Sequence, residues 1–162
     1  MVKINIGRDP PMSGWVNVVW RQAFHSMEVG APPWSLPVPT GTAECVLMER
    51  VFERMHPRRE ALGALKEAAR VLAPSGVLRV VTLDLEKLME SYRKGGLGQF
   101  GTARYPGWYA EAPPYLQLST HLFGVADGPA YEGALAIYDE LGLTATLRSV
   151  GFSPVRRERP NE

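Results

Sequence analysis

The chain has 162 residues, 45% of them hydrophobic and 22% charged, with a formal net charge of +1. That length suits one domain with a full core, and the composition excludes a disordered or collagen-like chain. A near-neutral balance leaves no electrostatic footprint for nucleic acid or an acidic membrane, and no run approaches the ~20 apolar residues of a bilayer span.

The first apolar run, 2–7, reads as a buried strand ending at Gly7. It is too short for the apolar core of a signal peptide, and no cleavage pattern follows, so a cytoplasmic protein is expected. A Pro-containing loop leads to a second strand over 15–20. Residues 25–29 form a weaker strand candidate. Four prolines in 30–41 require a loop there. The run 43–52 begins as a strand and turns into a short helix or loop near Glu49. Cys45 lies inside that run and reads as a small core residue. As the only cysteine, it supports neither a disulfide nor a thiol metal site.

The clearest unit is "HPRREALGALKEAARVLAPSG", 56–76. Pro57 fits the first helical position, and Pro74 and Gly76 supply a stop. Leu62, Leu65, Ala69 and Leu72 share one face at helical spacing. A β-branched strand follows over 77–83. Asp84 can then cap a helix over 85–94, whose core face carries Leu85, Leu88, Met89 and Tyr92. Residues 95–135 are rich in Gly, Pro and aromatics and read as a long irregular flap or interface. A helix over 138–150 stops at Gly151, and 152–158 is a candidate last strand. The tail "RRERP", 156–160, reads as a solvated chain end.

Strand–helix alternation implies a mostly parallel sheet with helices on both faces, in an α/β domain. Ligands in such sheets bind outside the carboxyl ends of the strands, where the strand order reverses. The loops after Gly7, Trp20, Val29 and Met48 converge on that crevice.

Four pieces of the chain carry a family resemblance: "INIG…GWVNV" (4–18), "SLPVPTGTAECVLMERVFERM" (35–55), "EALGALKEAARVLAPSGVLRVVTLDLEKLMESY" (60–92) and "YDELGLTATLRSVGF" (138–152). In order and spacing they resemble the small type 11 class of S-adenosylmethionine (SAM) dependent methyltransferases. The most specific part is a helix ending "RVLAPSG", then a strand, then "DLEKL". The resemblance implies a Rossmann-like class I methyltransferase sheet in one domain, 1–162, with 95–135 as a lid or a homodimer contact.

The resemblance also assigns roles. Gly7, Arg8 and Asp9 would hold the methionine end of SAM. Trp20 and Leu36 would flank the adenosine, with Met48 as a further pocket wall. Glu49 and Arg50 would sit near the amino-acid carboxylate. His121 or Tyr138 would orient a small-molecule or sugar-like methyl acceptor. No metal is implied. The chain departs from the family at several of these places. Asp9 stands where a second glycine is usual, and Pro10 and Pro11 remove two N–H donors. Val19 occupies the place of an acid that accepts the ribose hydroxyls. "RVFER" (50–54) replaces "HVLEH", and Ala134 and Ala136 replace the His and Trp of "H-x-W-x-Y-D".

Two expectations follow. One is methyl transfer from SAM, which needs in-line positioning and exclusion of water more than it needs a base. The other is a non-catalytic binding or partner module that keeps the fold and has lost SAM. A dinucleotide such as NAD fits worse, since its loop needs more glycines and an acid after the second strand. Trp34, Trp108, Tyr109 and Tyr115 would line a substrate pocket, or fill the underside of their loops or a dimer contact.

Overall fold

A computed structural model describes residues 1–7, 11–20, 28–97, 107–125 and 131–158. Five parallel strands form one sheet in the order β3-β2-β1-β4-β5. They are β1 (Val2–Ile6), β2 (Val16–Val19), β3 (Glu28–Gly30), β4 (Ala43–Glu49) and β5 (Leu72–Val81). The order runs outward one way from β1 to β3 and the other way from β4 to β5, so the direction reverses between β1 and β4.

Register explains the core. Paired residues of parallel strands share a face, so Val16, Ile4, Val46 and Leu78 form one row and Val18, Ile6, Met48 and Val80 the next. All eight belong to the main core or pack directly against it. Helices α1 (Leu62–Val71) and α4 (Glu140–Ser149) supply the layer above them, through Ala64, Leu65, Ala68 and Val71 from α1 and Leu143 and Leu147 from α4.

The opposite face has a different cover. Its rows are Asn17, Asn5, Leu47 and Arg79, then Lys3, Cys45 and Val77. Lys3, Val77 and Arg79 are exposed. Asn5 and Asn17 are buried under the β1–β2 connection, which holds no helix in its described part, 11–15. Asn5 Nδ2 donates to Asn17 Oδ1 at 2.8 Å, and Asn17 receives Met12 N–H and donates to the Met12 and Trp15 carbonyls. One buried amide thus fixes a loop where parallel crossovers usually place a helix.

The β3–β4 connection is fastened to α1. Glu67 Oε1 accepts Leu36 N–H at 2.7 Å, while Arg70 binds Glu67 and donates to the Leu36 and Val38 carbonyls and to Thr40. The Arg70 hydrogen bond holds the Glu67 carboxyl below its usual range.

Several elements differ from the sequence expectation. α1 stops at Val71, well before Pro74, because Leu72 is already extended and pairs with Ala43. Residues 73–76 then bulge out before pairing resumes at Cys45 and Val77. The buried face of α1 is Ala64, Leu65, Ala68 and Val71, with Ala69 exposed and Leu62 half-buried. α2 (Leu85–Arg93) is capped by Asp84, whose Oδ1 accepts Lys87 N–H, but it buries Leu88 and Ser91 and leaves Met89 exposed. The 95–135 stretch contains a regular helix, α3 (Pro114–Phe123), followed by a two-residue hairpin, β6 (Gly124–Val125) and β7 (Tyr131–Glu132).

α4 begins at its Asp139 cap, and Gly151 follows it at φ +97°. The expected strand over 152–158 does not form. Phe152 and Val155 pack on the core instead, and Arg157 bridges Asp84 and Glu140. No described helix is long and apolar enough to cross a membrane.

Candidate functional site

The loops leaving the carboxyl ends of β1 and β4 meet at Gly7. It has φ +87°, and a Cβ there would lie 2.8 Å from both the Glu49 carbonyl oxygen and Val51 Cβ. Glycine is therefore demanded by the close crossing of the two strand exits, whatever else the loop holds. Arg8 and Asp9 lie outside the described residues.

At the end of β2, Val19 is buried and its carbonyl accepts Ala31 N–H. Trp20, half-buried, sets its ring edge-on to Trp34 with centroids 5.2 Å apart. Leu36 and Met48 are core residues at 5% and 0% exposure, so neither offers a wall to solvent. Glu49 and Arg50 are half-buried at the end of β4.

Arg50 anchors a polar cluster. It is the one described non-glycine residue with positive φ, at 57°, and its N–H is tied to the Val81 carbonyl at 2.8 Å. A left-handed backbone is uncommon for such a residue and persists where surrounding contacts impose it. Here the contacts come from Glu53, which is buried. Arg50 Nε donates to Glu53 Oε1 at 3.0 Å, and Thr82 Oγ1 donates to Glu53 Oε2 at 3.0 Å. The Glu53 carbonyl also accepts the N–H groups of Leu135 and Ala136, which draws the 133–138 segment across the ends of β4 and β5.

That segment delivers Tyr138. Its ring leans on Phe52 with centroids 5.1 Å apart, and its backbone bridges to Asp84 and Leu85. The hydroxyl is buried, with no hydrogen-bond partner among the described residues. Burial first, and the Glu53 carboxylate second, push its pKa up, so it stays a protonated donor.

His121 is fully buried on α3. Its Nε2 lies 2.6 Å from the Tyr109 hydroxyl, and the two rings meet edge-on. Burial, then the Arg50 charge, lower its pKa to about 4, so the imidazole is neutral at pH 7. The Cys45 thiol is pushed up, mainly by burial, and is not an activated nucleophile.

The structure thus brings Gly7, Glu49 and Arg50 to adjoining strand exits, with Trp20 at the end of β2. Tyr138 joins Arg50 through Glu53, and the buried His121 feels the Arg50 charge. Glu53 and Thr82 were missed by sequence reasoning. The one available signal was an acid three residues after Arg50, in "VFERM", where Val51, Phe52 and Met55 are apolar. Among the described residues no group of three or more His, Cys, Asp or Glu can hold a metal ion. Neither protein-family models nor curated proteins give a match to this chain.

Proposed function

We propose that this protein is a SAM-dependent methyltransferase-like protein, acting on a small-molecule or sugar-like acceptor. The observation that carries the reading is the parallel order β3-β2-β1-β4-β5, with Gly7, Glu49 and Arg50 at the point where the order reverses. Doubly wound sheets with this order, the Rossmann-like architecture, bind their ligands in that crevice.

The residues present fit the methionine end of SAM. Arg50 uses Nε on Glu53 and has its guanidinium partly exposed, which suits a carboxylate. When bound, SAM supplies an electrophilic methyl group on a sulfonium. This chain's own residues orient the acceptor: the unpartnered Tyr138 hydroxyl donates to an acceptor oxygen, and the Glu53 pair fixes the position of Arg50. His121 is buried as a neutral group bound to Tyr109 and does not reach an acceptor itself.

A non-catalytic partner role is favoured by one observation. β2 ends in buried Val19 and in Trp20, which offers only an indole N–H, so this strand end has no carboxylate for the ribose hydroxyls. Each such bond to a charged acceptor is worth about 1.5–3 kcal/mol.

Calorimetric titration with SAM and with S-adenosylhomocysteine separates the two. The enzyme reading expects micromolar binding and a loss of roughly tenfold in Arg50→Lys, which keeps the charge and loses the planar fork. Absence of binding at about 1 mM ligand, below about 4 kcal/mol of affinity, overturns it and leaves the partner role.

A further inference from the structure

α3 is inside out. It buries Gln117, Thr120 and His121, and it exposes Tyr115 at 63%, Leu116 at 36% and Phe123 at 80%. The inward polar groups are satisfied within the chain. Gln117 receives Leu97 N–H and donates to the Tyr109 carbonyl, Thr120 donates to the Leu116 carbonyl, and His121 meets Tyr109. The polarity of the buried face is therefore set by what lies beneath it, and Tyr115, Leu116 and Phe123 stay exposed while Leu118 and Leu122 are half-buried. Leu135, 58% exposed, lies close to the helix, since its neighbour Ala134 donates to the His121 carbonyl.

We propose that this face is the contact with a second copy of the chain. Three observations select that occupant. First, residues 112–125 contain no Asp, Glu, Lys or Arg, in a chain that is 22% charged. An isologous contact sets a surface against itself, so a charge-free face meets no like charge. Second, the outward stripe is self-complementary. Leu116, Ser119 and Phe123 recur at i, i+3 and i+7, with the small residue near the midpoint. Two helices crossing antiparallel at Ser119 set each Leu116 against the other copy's Phe123, ~5 Å along the helix from the crossing. Third, Ser119 Oγ already donates to the Tyr115 carbonyl at 2.8 Å, so its hydroxyl can enter an apolar contact without losing a partner. A lipid surface fits less well, because the face offers no Lys or Arg to anionic headgroups. This inference does not depend on SAM binding.

Light scattering after gel filtration, at about 100 μM protein, tests it; a dimer with a Kd near 1 μM is then mostly assembled. The expected mass is twice 17.9 kDa. Phe123→Glu, at an 80% exposed position, is expected to return the monomer mass while its thermal midpoint at low micromolar concentration matches the parent, and Leu116→Lys should do the same. In a Cys45→Ser background, Ser119→Cys should link two copies under mild oxidation, and Phe123→Glu should abolish that link. A parent chain that is monomeric at 100 μM overturns the proposal, as does a dimer that both charge variants leave intact. A monomer that binds phosphatidylcholine vesicles through Phe123 also overturns it, in favour of a lipid surface.

Discussion

α1 and α3 are both ten residues long, yet they bury opposite kinds of residue. α1 turns Ala64, Leu65, Ala68 and Val71 onto an apolar sheet face and leaves Lys66 in solvent. α3 turns Gln117, Thr120 and His121 onto Tyr109 and the Leu97 backbone and leaves Phe123 in solvent. Each is matched to its neighbour. The difference teaches that a helix takes its burial pattern from the surface it covers. Where that surface is polar, the apolar residues are released for another contact, at the loss of about 1.5–3 kcal/mol of burial for a side chain the size of Phe.

The comparison can be broken or sharpened by substitution. The largest effect belongs to α1. Leu65→Ala, at a position with no exposure, removes apolar contact and leaves a cavity, and should cost about 2–5 kcal/mol in urea unfolding. A cost below 1 kcal/mol would mean that α1 is not seated on the core as described.

The next effect is specific to the polar underside of α3. The His121 pKa in the folded chain, about 4, lies below its ordinary value of 6.5. The unfolded chain therefore binds the extra proton between those values. The stabilisation from keeping this group neutral is fully present above pH 6.5 and is lost as pH falls toward 4, by roughly 3 kcal/mol. Urea midpoints across that window should fall less steeply for His121→Gln than for the parent, because carboxylate titrations are common to both. Equal slopes would remove His121 from the buried network.

A smaller effect is expected at Tyr138. Removing its unpartnered hydroxyl in Tyr138→Phe keeps the ring on Phe52 and should leave stability unchanged or raise it by about 1 kcal/mol. A loss of stability would show that the hydroxyl has a structural partner and is not held for a ligand. The smallest effect lies on the outer face of α3. Leu116→Ala, measured at dilute monomer concentrations, should change stability by less than about 0.5 kcal/mol. Set beside Leu65→Ala, it gives the contrast between the two helices its scale.

Legibility in the sequence follows the same division. Periodicity located α1 because its apolar residues repeat on the face that packs, although Ala69 was assigned inward when the face runs through Ala68. It missed α3 because an apolar pattern reports the buried side only when the covered surface is apolar. The strands around Ile4, Val18 and Val46 were legible as short apolar runs. The bulge at 73–76 was not, since Pro74 and Gly76 signal a break without saying whether helix or strand contains it.

In the candidate site, Gly7 and Arg50 were legible as the residues at strand exits. Leu36, Val19 and Met48 share the same loops and strand ends, yet they turned out to lie in the core, since position along a strand does not say which face a side chain takes. Glu53 was invisible for the opposite reason. A charged residue in sequence reads as surface unless its partners are known, and its partners Arg50 and Thr82 stand three and 29 residues away.

The sequence by itself determined the run of strands, the helices that cover an apolar face, and the caps at Asp84 and Asp139. Those are local matters of periodicity and backbone chemistry. Tertiary structure alone decided the strand order, the burial of Glu53 beneath Arg50, and the inversion of α3. Each of these depends on which distant surface comes to lie against a segment, and the free energy of a side chain depends on that surface as much as on the side chain itself.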